Sequence, residues 1–444
     1  MLTREENDLL CRVEGDAPMG RLMRRHWVPA VLAEEVSTPG GNPVRVRLFG
    51  EDLVAFRDTT GAVGVIGEAC PHRKASLALG RNEAGGLRCL YHGWLVDRNG
   101  DCLDMPSEPP DSGFCARVKH KAYPVREGAG FVWVYMGEPA GMPVFEPPPW
   151  APTAEARVST TRMQIPCNWA QVTEGQIDSA HSSSLHASDM RPARVETAEA
   201  VATHWLRPST DKSPRLQVQL TSYGMRYAAI RRPIKNAATH DYVRITTFVA
   251  PFTSLIPPNS SYNVATVIVP RDDTSCWFHF IAWTPGAEGG IAQEAWRKFC
   301  VMEPGVDVDA EWRPARGLAN RFLQDRARMG PDNVTGIAGI PNQDLAMWLT
   351  MGPIADRSSE RLGASDIAVI QFRRLMIDAA RRNAATGEAL GISGARVPPA
   401  KLRSWQGIVP KAIEWRALGA EEEELAMLGI ELDETEREMA RAAG

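Results

Sequence analysis

With 444 residues, a formal net charge of −4 and a pI near 6.2, the chain is long enough for more than one domain, and its charge argues against nucleic acid as a partner. Its eight cysteines, mostly scattered singly, suit a reducing cytoplasm better than a disulfide scaffold. The opening "MLTREENDLLCRVEG" lacks a basic start followed by an apolar run, and no apolar stretch of spanning length follows, so neither a secretory signal nor a membrane span is expected.

In chain order, "PMGRLMRRHWVPAVL" (residues 18–32) reads as a helix docking onto the body. Next come short β-like runs: "VRVRLF", "DLVAFRD" and "AVGVIG", then "GFVWVYMG", with "TTG" and "RNG" turn signals between them. Residues 40–137 therefore predict a small antiparallel β domain.

Inside it lies "CPHRKASLALGRNEAGGLRCLYHGW" (residues 70–94). Cys70-x-His72 and Cys89-x-x-His92 each put one thiol and one imidazole on a loop. Three readings compete: a Cys70–Cys89 disulfide, a structural Cys2His2 zinc, and a Rieske [2Fe–2S] cluster, in which two histidines replace two cysteines on one iron. A reducing compartment weakens the first. Zinc-finger pairs usually keep both cysteines on one loop, which weakens the second. One of each ligand per loop lets Cys70 and Cys89 share one iron and His72 and His92 the other. Pro71, Gly80, Gly85, Gly86 and Gly93 supply the tight turns.

"CPHR-x-ASL", "GLRC-x-YHGW" and "DMPSEP" resemble the Rieske domain of the phthalate dioxygenase family of ring-hydroxylating oxygenases. Lys74 departs from it, standing where those proteins often have glycine.

A Rieske domain takes roughly one hundred residues and leaves some three hundred over. "GEPAGMPVFEPPPWAP" (residues 137–152), with six prolines, reads as a stiff connection. The expected division is 1–150, an N-terminal helix and Rieske domain, and 151–444, a catalytic domain.

"NWAQVTEGQIDSAHSSSLH" (residues 168–186) opens the second part. Asp178 and His181, three apart, share a face if the segment is helical. His186 lies about 140° further round an ideal helix, so both imidazoles reach one ion only if the helix ends between them, where Ser182, Ser183 and Ser184 stand. The competing reading is a polar helix surface with incidental histidines. Two histidines and one carboxylate form the facial triad of oxygen-activating non-haem iron enzymes. The carboxylate is Asp178 or an aspartate within "PNQDLAMWLTMGPIADRSSERLGASD" (residues 341–366).

"N-W-x-Q-x-x-E-G-x-x-D-S-x-H-x4-L-H" and "D-x6-GPI-x-DRS-x-E-x-LG-x-SD" are similar to the catalytic part of the same oxygenases. The resemblance implies that His181, His186 and Asp344 hold mononuclear iron. It implies that Asp178 is no ligand but bridges this site to the Rieske cluster of a neighbouring subunit in a cyclic homotrimer, or a hexamer built of trimers. Met351 departs from the pattern, standing where glutamine usually precedes "GPI"; altered packing near the iron is expected.

Residues 198–285 read as antiparallel strands, from "LQVQLTSY" to "CWFHFIAW". "IAQEAWRKFCVM" (291–302) and "SDIAVIQFRRLMIDAARRNA" (365–384) read as helices, the second with Ser365 as N-cap. The fold class is α+β; the resemblance implies a helix-grip catalytic domain whose curved sheet and apolar cavity hold the substrate. The acidic tail from residue 420 reads as a solvated helix, with a docking role as the competing reading. No P-loop or dinucleotide fingerprint is present, so electrons are expected from a separate reductase using NAD(P)H.

The resulting expectation is the oxygenase component of a Rieske dioxygenase for aromatic catabolism, with O2 and an aromatic acid such as phthalate or a substituted benzoate as substrates. Arg207 and Arg244 are the candidate carboxylate-binding residues, each with a surface arginine as the competing reading. Mono-oxygenation, O-demethylation and diaryl ether dioxygenation are the nearer alternatives; an electron carrier or zinc protein is the distant one.

Overall fold

The β-branched and aromatic runs fold as strands in two units. In the computed structural model, residues 1–190, 207–257, 262–394 and 396–441 are described. One unit comprises Val13–Phe145 with Val269–Asp273; the other comprises Met1–Arg12, Glu146–Ile268 and Thr274–Gly444.

The smaller unit holds three sheets. Val44–Leu48, Glu51–Arg57, Val63–Gly67 and Ala122–Tyr123 form one; Arg81–Glu83, Gly86–Arg88, Leu95–Val96 and Cys102–Asp104 form a second. Their shared core contains Val54, Phe56, Ile66, Leu77, Leu87 and Val96 together with Cys70 and Cys89. The third contains Trp27–Leu32, which corrects the expected helix over 18–32. That helix spans only Pro18–Arg24, and the chain then pairs antiparallel with Phe131–Tyr135. Pro29 lacks the donor a helix needs, and Val28 and Val31 favour the pleat. The register shifts between Pro29 and Val31.

An eight-stranded sheet dominates the larger unit. Its order is Arg157–Ile165, Ser275–Thr284, Asn263–Asp272, Thr253–Ile256, His240–Val249, Gly224–Arg231, Arg215–Thr221, with Trp405–Pro410 also paired to His240–Val249. Residues 198–206 of the expected strand region lie outside the described residues. The helix Ile367–Thr386 packs buried Phe372 edge-on against Phe248 of the sheet, ring centroids 5.1 Å apart, and against Trp169 at 6.1 Å. Its N-cap is Asp366, behind a 3-10 turn Ala364–Asp366, and not Ser365.

Much of the second motif holds this unit together. Asn168 caps the helix Trp169–Gln176 and donates to the Cys11 carbonyl at 2.9 Å. Gln171 donates to the carbonyls of Trp348 and Gly352. Half-buried Glu174 accepts from the fully buried Arg357 at 2.8 Å and from Arg373 at 2.9 Å, and Glu360 pairs with Arg373. A side chain at Gly175 would place its Cβ 2.4 Å from Trp348 Nε1, so only glycine lets the two helices approach here.

The acidic tail is not solvated throughout. It forms two helices, Glu422–Leu428 and Glu434–Arg441, and buried Glu424 accepts from Tyr223 Oη at 2.6 Å. Its last three residues lie outside the described ones. No helix among the described residues is long and apolar enough to cross a membrane.

Candidate active site

The two loops of the smaller unit are built alike. The Cys70 N–H donates to the Ala75 carbonyl, and the Lys74 N–H returns to the Cys70 carbonyl at 3.0 Å; the Cys89 N–H donates to the Trp94 carbonyl, and the Gly93 N–H returns to the Cys89 carbonyl at 3.0 Å. Both returning residues are left-handed, Lys74 at φ 64° and Gly93 at φ 76°. That repeat explains why glycine suits position 74.

Each turn carries its cysteine inward and its histidine out. Cys70 and Cys89 are buried, and burial, with Cys89 beside it, pushes the Cys70 thiol up to about 11. The His72 and His92 rings lie 4.3 Å apart, and His72 stacks on Trp94 at 4.5 Å. His72 Nδ1 is buried without a hydrogen-bond partner. Two thiols and two imidazoles fit the donor set of a [2Fe–2S] centre of the Rieske type. Among the described residues, the one group of at least three donors within 4.8 Å of one another is His181, His186 and Asp344.

In the larger unit, the helix Trp169–Gln176 ends before Asp178, so Asp178 and His181 do not share a helix face. Asp178 Oδ1 instead accepts from the Ala180 N–H at 2.7 Å and the His181 N–H at 3.4 Å, which starts a 3-10 turn His181–Ser183. An aspartate offers the backbone this alternative to a helix. The break occurs ahead of His181, not at the serines, and brings the imidazoles together: their Nε2 atoms are 3.2 Å apart. Asp344, on the helix Ile340–Thr350, places Oδ1 3.1 Å from His186 Nε2 and 3.6 Å from His181 Nε2. Three donors about 2.1 Å from one ion and at right angles would stand about 3 Å apart, so the set fits a single metal.

The outer nitrogens are held too. His181 Nδ1 faces Asp178 Oδ2 at 3.4 Å, and His186 Nδ1 meets Gln343 Oε1 at 2.7 Å. Gln343 in turn donates to Asp189 Oδ2 and the Ile337 carbonyl, both at 3.0 Å. Burial pushes the Asp178 carboxyl up, but the His181 hydrogen bond and the backbone N–H groups outweigh it and leave it below the ordinary range. Such partners fix which ring nitrogen is offered to a metal. Gln343 and Asp189 were not singled out from the sequence; the only signal was that Gln343 adjoins Asp344. Met351 is 54% exposed at the helix C-cap, so it does not pack near the triad within this chain.

A cavity opens on the triad. Its walls include Met190, Ile256, Phe278, Phe280 and Ile340, with Ser179, Ser182, Tyr227, Arg244 and Thr246 as polar points. Arg244 is buried and donates to the Pro257 carbonyl at 2.7 Å and Gln406 Oε1 at 3.1 Å. Arg207, also buried, does not line this cavity itself; it donates to Ser183 Oγ at 2.7 Å and Ser182 Oγ at 2.8 Å. Neither is a surface arginine.

Residues 26–126 match the model of the Rieske [2Fe-2S] domain, and residues 134–439 match that of the LigXa C-terminal domain like family. The oxygenase subunit of phthalate 4,5-dioxygenase from Pseudomonas putida is 61% identical over 94% of each chain. The chain belongs to the phthalate dioxygenase family of Rieske non-haem iron ring-hydroxylating oxygenases. Its cofactors are a Rieske [2Fe–2S] cluster and a mononuclear iron. The oxygenase subunit of 3-chlorobenzoate-3,4-dioxygenase from Comamonas testosteroni is 36% identical over 93% of this chain and 96% of its own. The terminal oxygenase of carbazole 1,9a-dioxygenase from Nocardioides aromaticivorans IC177 shares the fold, with a TM-score of 0.54 at 18% identity over 85% of this chain and 97% of its own.

Proposed function

We propose that this oxygenase component hydroxylates an aromatic carboxylate, phthalate or a substituted benzoate, with electrons from a separate NAD(P)H-linked reductase. The observation that carries this reading is buried Arg244 in an apolar cavity that also opens on His181, His186 and Asp344. The relatives named for phthalate and 3-chlorobenzoate support it. When bound, the cluster at Cys70, His72, Cys89 and His92 supplies single electrons, and iron at His181, His186 and Asp344 supplies dioxygen activation.

The protein's own part is placement. Arg244 holds the carboxylate by charge-assisted hydrogen bonds, which gain strength in a cavity with little water, and Arg207 fixes the Ser182 wall beside it. Met190, Ile256, Phe278 and Phe280 hold the ring and keep water away. Gln343 and Asp178 fix the His186 and His181 tautomers. Asp178 also bridges to the His-side of a neighbouring subunit's cluster in a homotrimer, or a hexamer of trimers, in the cytoplasm.

Turnover of a panel of phthalates and benzoates with a compatible reductase tests this. A cis-dihydrodiol from an aromatic acid is the expected product, with uncharged analogues at least about tenfold poorer in kcat/KM. A phenol or a demethylated product would move the reaction to mono-oxygenation, and equal turnover of uncharged analogues would remove the carboxylate site.

A further inference from the structure

Beside the cavity is a third buried guanidinium, Arg231, 1% exposed on the strand Gly224–Arg231. No carboxylate among the described residues pairs with it. Its donors go instead to one residue: Nη2 to the Ser179 carbonyl at 2.8 Å, and both Nη atoms to Ser179 Oγ at 3.3 Å. Nε has no partner and is buried. Burial and the neighbouring Arg244 push its pKa down to about 10. A buried charge left so poorly compensated costs stability, and such a cost persists where an anion from outside completes the site.

Ser179 is the link to that anion. It lines the cavity and directly follows Asp178. Its Oγ already accepts from Arg231, so its own proton is left to donate, and no described residue takes it. Its carbonyl also accepts from Ser182 Oγ at 2.9 Å, and Ser182 accepts in turn from Arg207. Arg231 thus locks the Ser179 backbone and polarises its hydroxyl towards the cavity, separately from Arg244.

We propose that Arg231 is a positioning residue that makes Ser179 a charge-backed hydrogen-bond donor for a second carboxylate, so that the cavity favours an aromatic dianion over a monoanion. The proposal rests on the aromatic-acid reading above and adds to it the residue that counts the charges. A guanidinium acting through a hydroxyl is felt by the group that hydroxyl meets and much less by a carboxylate seated on Arg244.

Calorimetric titration of the metal-loaded, reductase-free protein with phthalate and with benzoate tests it on wild type, Arg231→Met, Arg231→Lys and Ser179→Ala. Arg231→Met and Ser179→Ala should each weaken phthalate about tenfold or more, and benzoate less than about threefold. Arg231→Lys should recover part of the phthalate affinity. The double variant should be little worse than either single one, because the two residues act in series. Equal weakening of both acids, or none, overturns the role of Arg231 and leaves the aromatic-acid reading standing. Wild-type protein that binds neither acid overturns both. If Arg231→Met loses its fold, Arg231→Lys decides on the Ser179→Ala background: phthalate binding weakened by the lysine in the presence of Ser179 but not in its absence supports the role, and equal weakening on both backgrounds overturns it.

Discussion

Two aspartates meet the histidines of the triad, and their contacts differ. Asp344 Oδ1 points at both Nε2 atoms, while Asp178 holds the opposite side of His181. Asp344→Ala should lower iron from about three to about two atoms per chain, with the visible spectrum of the cluster intact. Asp178→Asn should retain most of the iron but lose turnover, because an amide cannot act as a charged partner to imidazole. Metal analysis beside single-turnover kinetics reads both; near wild-type turnover of the Asp178 variant would end its bridging role. The Cys–His pairs and the His181–His186 pair were legible because each is close in sequence and drawn from residue types with few other uses together; the carboxylate was not, since spacing left Asp178 and the 341–366 segment both open and only the family resemblance pointed to Asp344. Nor were Gln343, Ser179 and Arg231. A glutamine in a helix, or an arginine in "IRR", looks like any surface residue until the fold buries it.

Elements show the same division between local and distant causes. The strands around the metal loops follow from β-branched runs closed by turn residues. Trp405–Pro410, "WQGIVP", carries a glycine and a proline and gives no strand signal; it pairs where Thr253–Ile256, bonded to Thr247, Phe248 and Val249, leaves the stretch from His240 to Ile245 open on that side. The end of the helix Trp169–Gln176 was misplaced for a related reason: spacing cannot tell whether Asp178 extends a helix or captures the next two N–H groups. The loop repeat around the cluster gives a direct test. Lys74 holds a left-handed backbone that glycine adopts without a Cβ clash, so Lys74→Gly should stabilise the loop by about 1 kcal/mol, read as a higher unfolding midpoint of the metal-loaded protein. A drop would mean that the lysine side chain holds the turn. The Glu174 clamp gives a second test, in pH. Burial raises the Glu174 carboxyl, but Arg357 and Arg373 outweigh that and hold it below its ordinary 4.5. A carboxylate depressed on folding contributes stability that is complete above the unfolded value and is lost as pH falls below about 4.5 through the folded one. Glu174→Gln should therefore cost about 3–5 kcal/mol near neutrality, with two buried guanidiniums left short of charge, and less in acid. Parallel denaturation curves at all pH values would place the stability elsewhere.

At the scale of the whole molecule, the proposal that electrons cross between subunits makes a prediction that no single-chain route shares. Take one variant that cannot assemble its cluster, Cys89→Ser, and another that cannot hold mononuclear iron, Asp344→Ala. Each alone should be inactive, since every assembly lacks one of the two centres throughout. Co-expressed, they contain both centres but never in the same chain. If each iron is served by its own chain's cluster, the mixture stays inactive. If a head-to-tail ring presents the cluster of one subunit to the iron of the next, an interface works whenever a cluster-competent chain precedes an iron-competent one. With equal amounts and random assembly, that ordered pair fills about a quarter of the interfaces, so activity should recover to about a quarter of wild type. Purification on two different affinity tags removes the unmixed rings and raises the fraction further. Mixing the two purified variants without subunit exchange should recover nothing, which rules out repair by free metal passing through solution.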